Sequence, residues 1–258
     1  MKEVEGIILI ISCQKHLNTR LKKFKLPKNN YDGWEVLYVV GDLFLCNDHE
    51  LRGNMLYIKC EDSYIHLLKK VVLSIKYVNE LFAIRQGILR CGDDLIYNNK
   101  SLLGFLKSKK YDFYGKGCIN QNSYFQYSKD INSLKNVVRD QSMYEYYMNH
   151  IEDFSNPQHN LQNMTLEKLR KFSIRPRLWG PVGVIYYLSN KACKILVSHM
   201  ENINYDVFHL DSFTNSYPYT IEDVGATYIM YYHGVRFFNN PHFFDTNKSI
   251  ARHTNEFK

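Results

Sequence analysis

The first half of the chain contains runs of consecutive apolar residues. Residues 6–13 (GIILIISC), 35–41 (EVLYVVG) and 55–59 (MLYIK) each form such a run. A strand that is covered on both faces of a sheet has this pattern, because both rows of its side chains are buried. We therefore expect three buried strands, with a polar turn at residues 47–54 between the second and the third.

The pattern changes to a helical period over residues 64–78, where lysines lie between apolar residues spaced three to four positions apart. A strand is predicted next at residues 81–90 (LFAIRQGILR), and Gly92, Asp93 and Asp94 follow it closely. Open α/β sheets bind ligands at the carboxyl ends of their strands. The position of this polar motif therefore fits a nucleotide site.

Residues 98–106 are expected to form a short helix, with Asn98 or Asn99 as its cap. Residues 120–176 differ from the rest of the chain, since they are polar and rich in Asn, Tyr, Ser and Gln. A helix is predicted within them at residues 134–147, with little strand signal around it. We interpret residues 120–176 as an insertion or lid.

Regular structure is also predicted on both sides of this insertion. Asn190 is a candidate cap for the helix that follows it, and another helix opens on Glu222 and Asp223, whose charges suit a helix N-terminus. The elements concerned are strands at 111–117 and 180–189 and helices at 190–200 and 220–234. The order of strands and helices predicts a single α/β domain over residues 1–258.

Composition adds limited information about partners. The formal net charge of +7 suggests an anionic partner, which leaves nucleic acid, nucleotide phosphates and a membrane surface open, although the densest basic run also fits a solvated loop. The 21 Tyr and 15 Phe suit a stacking or sugar-binding cleft. Six cysteines without a CxxC pair indicate neither a zinc knuckle nor a dense disulfide framework. The basic run consists of Arg20, Lys22, Lys23, Lys25 and Lys28.

The N-terminus has none of the features of a signal peptide. Its apolar run at 7–11 is short, and Glu3 and Glu5 precede it in place of a basic region. We expect a soluble chain without a membrane segment. It would be cytoplasmic if this is the natural full chain, and otherwise a trimmed luminal domain of the Golgi type.

The adjacent carboxylates Asp93 and Asp94 need a positive partner, because two like charges beside a buried strand repel each other and lose hydration. A divalent cation is the obvious candidate. Mg²⁺ and Mn²⁺ prefer oxygen ligands, and they are held by one or two carboxylates together with substrate phosphates. The pair therefore favours chemistry on a phosphate-bearing substrate.

Four motifs together resemble the β-1,3-galactosyltransferase, N-acetylglucosaminyltransferase and Fringe family. EDSYIHLLKK is similar to the start of a helix in that family, and RCGDDLIYN to a strand that ends in an Asp triplet. GPVGVIYYLSNKA resembles its Gly-rich turn and following strand, and IEDVGATYIM its Glu-Asp-Val motif. The four occur in the family's order and span most of residues 6–232.

The resemblance implies a GT-A glycosyltransferase fold, with a Rossmann-like mixed sheet flanked by helices, a UDP-sugar donor, Mn²⁺ or Mg²⁺, and inversion at the anomeric carbon. By position, Asp94 would bind the metal and Asp93 would hold the ribose or the donor sugar. Asp223 would be the catalytic base that takes the proton of the acceptor hydroxyl. Gly92 stands where the family has its first Asp, which puts that residue's contact to the nucleoside in doubt.

The resemblance also extends to several neighbouring residues. A metal-binding histidine is expected near the end of the domain, and His253 is preferred to His242 and His233. A helix N-terminus accounts for Glu61 and Asp62 equally well, although the family uses this segment near the nucleotide. The residues expected to line the donor or acceptor side, besides these two, are Gly183, Glu222 and Trp179, of which Trp179 is equally suited to packing.

The sequence therefore predicts a metal-dependent inverting glycosyltransferase. It would move a hexose or N-acetylhexosamine, with galactose or N-acetylglucosamine favoured, from a UDP-sugar to a hydroxyl of a glycan or glycoprotein, and no nucleic acid partner is expected. Residues 120–176 would shape the choice of acceptor. A metal-dependent nuclease or nucleotidyl transferase and a catalytically silent carbohydrate- or nucleotide-binding domain are the alternatives.

Overall fold

The computed structural model describes residues 1–24, 26, 31–117, 137–139, 145, 148–150, 152–165, 167–168, 171, 174–176 and 178–254. The strands are β1 (Lys2–Ile11), β2 (Trp34–Gly41), β3 (His49–Arg52), β4 (Met55–Ile58), β5 (Phe82–Gly92), β6 (Leu95–Tyr97), β7 (Phe113–Gly117), β8 (Val137–Arg139), β9 (Ile174–Pro176), β10 (Pro181–Ser189), β11 (Phe237–Asn239) and β12 (Ala251–His253). The helices are α1 (Arg20–Lys23), α2 (Leu67–Leu81), α3 (Asn99–Lys107), α4 (Glu152–Ser155), α5 (Asn190–Asn202) and α6 (Glu222–Tyr232).

One mixed sheet of eight strands organises the fold, in the order β11, β7, β10, β5, β1, β2, β4, β3. The strands β4, β2, β1 and β5 are parallel, whereas β10 runs antiparallel to β5 and β7. The chain leaves β1 on one side for β2 and returns on the other side for β5, which is a Rossmann-like arrangement. The carboxyl ends of β1 and β5 therefore border a topological switch point, where ligands bind in such sheets.

The core lies on both faces of this sheet, as the continuous apolar run in β1 predicts. Ile7, Leu9 and Ile11 belong to a cluster that includes α2, α5 and α6. Ile8 and Ile10 point the other way, into a cluster with side chains of α3. The expected α/β class is thus confirmed, with helices on both faces of a mixed sheet.

Two helix caps can be compared with expectation. Asn98 caps α3 as predicted, because its side chain accepts a hydrogen bond from the amide of Ser101 at 3.1 Å. Ser189, and not Asn190, caps α5 through a bond from the amide of Ala192 at 3.2 Å. Asn190 instead donates to the carbonyl of Ile84 at 2.7 Å, which ties the start of α5 to β5.

Two predictions of secondary structure are wrong. The expected turn at 47–54 is a hairpin of β3 and β4, because residues 49–52 add an edge strand whose half-polar sequence lacks an apolar pattern. The helix expected at 134–147 is contradicted at Val137–Arg139, which form β8 antiparallel to β9. Adjacent β-branched valines favour the extended form there. Most of the rest of 134–147, and of the insertion at 120–176, lies outside the described residues.

Among the helices that the structure describes, none combines the length and the apolar character needed to cross a membrane.

Candidate functional site

Asp93 lies at the switch point and binds three side chains from the segment after β1. Its carboxylate accepts hydrogen bonds from Ser12 Oγ at 2.6 Å and Arg20 Nη1 at 3.0 Å, and it contacts His16 Nδ1 at 2.8 Å. The side chain of Asp93 is only 7% exposed. These contacts join the carboxyl ends of β1 and β5 at the switch point. We call the region at these two strand ends the crevice.

The charges of this cluster are mutually dependent. Burial opposes ionisation of Asp93, but the hydrogen bonds from His16 and Ser12 outweigh burial and lower its pKa. The bond to Asp93 in turn raises the pKa of His16 to about 9, with a smaller contribution from Cys13. His16 is therefore a cation near neutral pH, and its ion pair, together with that of the Arg20 guanidinium, stabilises the buried charge of Asp93 without any metal.

Asp94 differs from Asp93 because it faces the solvent. Its side chain is 30% exposed, and its Oδ2 lies 3.5 Å from His253 Nδ1 and 3.9 Å from Arg20 Nη1. Gly92 leaves space for it, since a Cβ at that position would lie 3.0 Å from Asp94 Oδ1. Gly92, at the position where the resemblance predicts a first Asp, therefore gives the Asp94 carboxylate room that a larger residue would reduce.

His253 reaches Asp94 through a small ribbon that the sequence does not reveal. β12 pairs antiparallel with β6, which places His253 opposite Leu95, the residue after Asp94. The amide of Thr254 donates to the carbonyl of Asp94 at 3.1 Å, and the ring of Phe244 contacts the His253 ring edge-on at 4.9 Å. The structure thus places His253, the preferred histidine, in contact with Asp94.

The other two candidate histidines are placed differently. His233 follows the end of α6, where its Nε2 lies 3.2 Å from Nδ1 of His199. His242 is exposed in a 3-10 turn at Pro241–Phe243. His253 is therefore the candidate that the structure pairs with Asp94.

The pair of Asp94 and His253 fits a divalent ion that also takes phosphate ligands. Asp94 Oδ2 and His253 Nδ1 are 3.5 Å apart, so both atoms can lie about 2.1 Å from a single ion. The described residues contain no group of three or more His, Cys, Asp or Glu arranged to hold a metal. Two protein ligands suit Mg²⁺ or Mn²⁺, whose remaining ligands are commonly phosphate oxygens and water.

Asp223, in the first turn of α6, packs against Gly183 of β10. A Cβ added to Gly183 would lie 3.0 Å from the Asp223 carboxyl carbon, so a larger residue there would crowd this side chain. Gly183 lies on β10, which pairs antiparallel with β5, and Arg90 of β5 donates a hydrogen bond to the Gly183 carbonyl. Asp223 therefore lies beside the strand that neighbours β5, the strand before the acidic pair, although about 130 residues separate Asp223 from that pair in sequence.

Glu222 has a different environment from its neighbour Asp223. It is 4% exposed, accepts a short hydrogen bond from Tyr186 Oη, and its Oε1 lies 3.2 Å from Arg90 Nε. Arg90 also donates to the carbonyl of Gly183. Glu222, predicted to bind the donor, thus anchors the first turn of α6 to β5 and β10, and in doing so positions Asp223.

The buried carboxyl of Glu222 should make stability depend on pH. Burial raises its pKa from 4.5 to about 7, against the opposing effect of Arg90. Because the folded protein holds the proton in this range, the contribution of Glu222 to the free energy of unfolding is largest below pH 4.5 and falls as the pH rises to about 7.

A Glu222→Gln variant cannot lose this proton. We therefore expect its stability to improve relative to the wild type as the pH rises from about 5 to about 7, measured by urea unfolding. Glu80→Gln, at an exposed position near the end of α2, is the control and should follow the wild type. Parallel curves for Glu222→Gln and the wild type would contradict this account of Glu222.

Asp62 holds together the ends of β1 and β2. Its Oδ1 accepts from Lys70 Nζ at 2.7 Å and from the amide of Gly41 at 3.1 Å, and its Oδ2 accepts from the amide of Gln14 at 2.7 Å. Lys70 also donates to the carbonyl of Ser12 at 2.7 Å. Both oxygens of Asp62 are thus bound to protein donors, so its expected contact to the donor substrate stays a prediction.

Glu61 and Trp179 are the two remaining residues that the sequence predicts at the site. Glu61 pairs with Lys69 at 2.7 Å beside the start of α2. Trp179 is 36% exposed, packs edge-on against Phe237 at 5.8 Å, and accepts a bond from Tyr231 at its carbonyl. Glu61 is thus a buried residue held by an ion pair, whereas Trp179 combines a packing contact with access to solvent.

Sequence reasoning missed Ser12, His16 and Arg20 as site residues. Arg20 belonged to a basic run that fits a solvated loop, and Ser12 and His16 carry no motif. The usable signal was position, since all three follow a buried strand that borders the switch point. Of the basic run, Lys25 and Lys28 lie outside the described residues.

Comparison with known proteins adds no family assignment: no protein-family model matches the chain, and no curated protein matches it.

Proposed function

We propose that this protein is a metal-dependent inverting glycosyltransferase of GT-A fold. It would transfer a hexose or N-acetylhexosamine, with galactose or N-acetylglucosamine favoured, from a UDP-sugar to a hydroxyl of a glycan or glycoprotein. The observation that carries the proposal is the contact of Asp94 with His253, which are distant in sequence, while Asp223 lies against Gly183 of β10, the strand next to β5. Four sequence motifs agree with it in type and order.

The arrangement of the sheet supports the donor side of this proposal. The parallel strands have a Rossmann-like order, and the Asp93 and Asp94 pair follows β5 at the switch point, where nucleotides bind in such sheets. The antiparallel β10 brings Gly183 to the same edge. A GT-A glycosyltransferase needs such a nucleotide half joined to an acceptor half.

Asp94 and His253 are the residues that would hold the divalent ion. When bound, Mn²⁺ or Mg²⁺ neutralises negative charge on the leaving nucleoside diphosphate. His16 and Arg20 bring two further positive charges to the same end of the sheet, next to Asp93. The charges of Asp93, Asp94, His16 and Arg20 balance, so a bound divalent ion would make this end of the sheet positive and favour an anionic leaving group over a neutral one.

Asp223 would take the proton of the acceptor hydroxyl. Inversion requires a base on the face of the sugar opposite the leaving group, and a residue on α6 approaches from a different element than the metal ligands. Its Oδ1 accepts from the amide of Val224 at 2.9 Å, which restricts the orientation of the carboxylate. Glu222 and Arg90 fix the helix start on which it stands.

Metal-dependent binding of UDP tests the ligand pair. We expect Mn²⁺ to strengthen UDP binding to the wild type, and His253→Ala to reduce this gain by about tenfold or more, because a ligand is lost. Isothermal titration of UDP with and without Mn²⁺ measures the effect. His242→Ala, another exposed histidine late in the chain, should retain the full gain.

Equal UDP affinity with and without Mn²⁺ would contradict the metal assignment. An effect of His242→Ala as large as that of His253→Ala would contradict the choice of histidine.

A further inference from the structure

A second concave region lies beside the crevice, at the start of α2. It is a cavity of about 370 Å³ between α2, residues 160–168 and residues 204–208. This volume falls within the range of small-molecule sites, about 300–1,000 Å³. The proposed catalytic residues and the metal pair are not among its lining residues, so the cavity is a separate feature.

The cavity and the crevice share one structural element. Glu61, which lines the cavity, immediately precedes Asp62, which binds the ends of β1 and β2. On the other side, α6 packs closely on the first turn of α2, since a Cβ added to Gly225 would lie 2.6 Å from Leu68. The start of α2 thus lies between the cavity and the helix that carries Asp223.

The charges of the cavity walls balance. Glu61 and Asp206 face Lys69 and Lys168, and Glu61 forms an ion pair with Lys69 at 2.7 Å. Burial lowers the pKa of His66 to about 4, so this ring is neutral near pH 7. An uncharged polar ligand fits such a lining better than a phosphate does, because a phosphate needs a surplus of positive charge.

The polar and aromatic groups of the lining suit hydroxyl-rich ligands. Asn160 and Asn163 expose carboxamides, each of which can donate and accept hydrogen bonds. The ring of Phe208 offers an apolar surface, with His66 edge-on at 5.9 Å and Lys168 Nζ at 5.4 Å from its centroid. Sugars present the same combination of hydroxyl groups and apolar ring faces.

Three of the six described non-glycine residues with a positive φ angle line this cavity. Asn160, Asn204 and Tyr205 line it, and all three have positive φ angles, of 51°, 52° and 54°. Residues other than glycine rarely adopt this conformation, and for a bulky side chain such as tyrosine it is a true outlier. Strain of this kind costs about 1–3 kcal/mol per residue and occurs preferentially at functional sites.

We infer that this cavity binds an uncharged saccharide unit of the acceptor. The inference rests on the proposed function, and it extends that function by placing the acceptor's distal sugar between α2 and residues 160–168. These residues belong to the segment 120–176, which is expected to shape the choice of acceptor. The cavity would hold the acceptor while its reacting hydroxyl lies in the crevice.

Saturation-transfer NMR with three neutral disaccharides tests the inference directly: lactose, N,N′-diacetylchitobiose and cellobiose. At least one should give a signal with the wild type. Asn163→Trp fills the cavity from an exposed position and should weaken that binding by about tenfold or more. Gln162→Trp adds the same side chain at the neighbouring exposed residue, outside the lining, and should bind like the wild type.

Absence of a signal from all three sugars would overturn the inference, as would equal binding by the wild type and Asn163→Trp. UDP binding with Mn²⁺, measured on the same samples, separates this result from the fate of the proposed function. If no sugar binds but UDP binding is retained, only the inference about the cavity is wrong. Sugar binding that depends on Asn163 without any UDP binding supports the cavity and removes the donor site.

Discussion

Asp223→Asn is expected to lower the kcat of sugar transfer by about a hundredfold or more, the scale of a lost general base. Asparagine keeps the shape of the side chain and its hydrogen bond with the amide of Val224, but it cannot take a proton. The dissociation constant of the UDP-sugar should stay unchanged, because the proposed donor contacts lie at the ends of β1 and β5. Steady-state kinetics together with titration of the donor separate the two effects.

Asp48→Asn makes the same chemical change at an exposed position before β3, and it should leave both kcat and donor affinity unchanged. A loss of donor affinity as large as the loss of kcat in Asp223→Asn would show that Asp223 holds the donor. Unchanged kcat would remove it from catalysis altogether.

Lys70→Met is expected to lower the free energy of unfolding by about 3–5 kcal/mol, the usual cost of removing one partner of a buried ion pair. The side chains of Lys70 and Asp62 are 3% and 4% exposed, so the variant would leave a buried carboxylate without its cation. This is a large share of a domain's stability, which is commonly about 5–15 kcal/mol. Urea unfolding at neutral pH measures the change.

Lys76→Met is the matched control on the same helix. Its ion pair with Glu201 is 34% and 45% exposed, so we expect a change of about 0–1 kcal/mol. Similar losses for the two variants would mean that Asp62 does not depend on Lys70. The burial of the Asp62 carboxylate, whose hydrogen bonds join the ends of β1 and β2, would then need another explanation.

The buried half of the fold could be predicted from the sequence because its strands are covered on both faces. GIILIISC and EVLYVVG admit few other interpretations. β2 lies within one residue of its expected limits, whereas β1 begins four residues and ends two residues before them. The short edge strands could not be predicted, since HELR (β3) and ARH (β12) lack any apolar pattern. Each takes its extended form from pairing with another strand, β3 with β4 and β12 with β6, and its own sequence does not reveal that pairing.

The candidate site, like the fold, could be predicted only in part. Motifs indicated Asp94 and Asp223, and a place near the end of the domain indicated His253. The contact between Asp94 and His253 depends on pairing between β12 and β6, and the contact between Asp223 and Gly183 on the packing of α6 against β10. The three partners of Asp93 were missed, because such polar residues after a strand are common in any loop and only their position beside the switch point sets them apart. Tertiary contacts alone give those residues a role.

Release of UDP from a panel of UDP-sugars, with and without Mn²⁺, tests the central claim most directly. The account predicts release from one sugar that requires Mn²⁺ and is lost in Asp94→Ala, in the presence of an acceptor such as lactose. Release that is unaffected by Mn²⁺ or by Asp94→Ala would contradict the metal-dependent mechanism. Donor binding without release under any condition would instead indicate a catalytically silent binding domain.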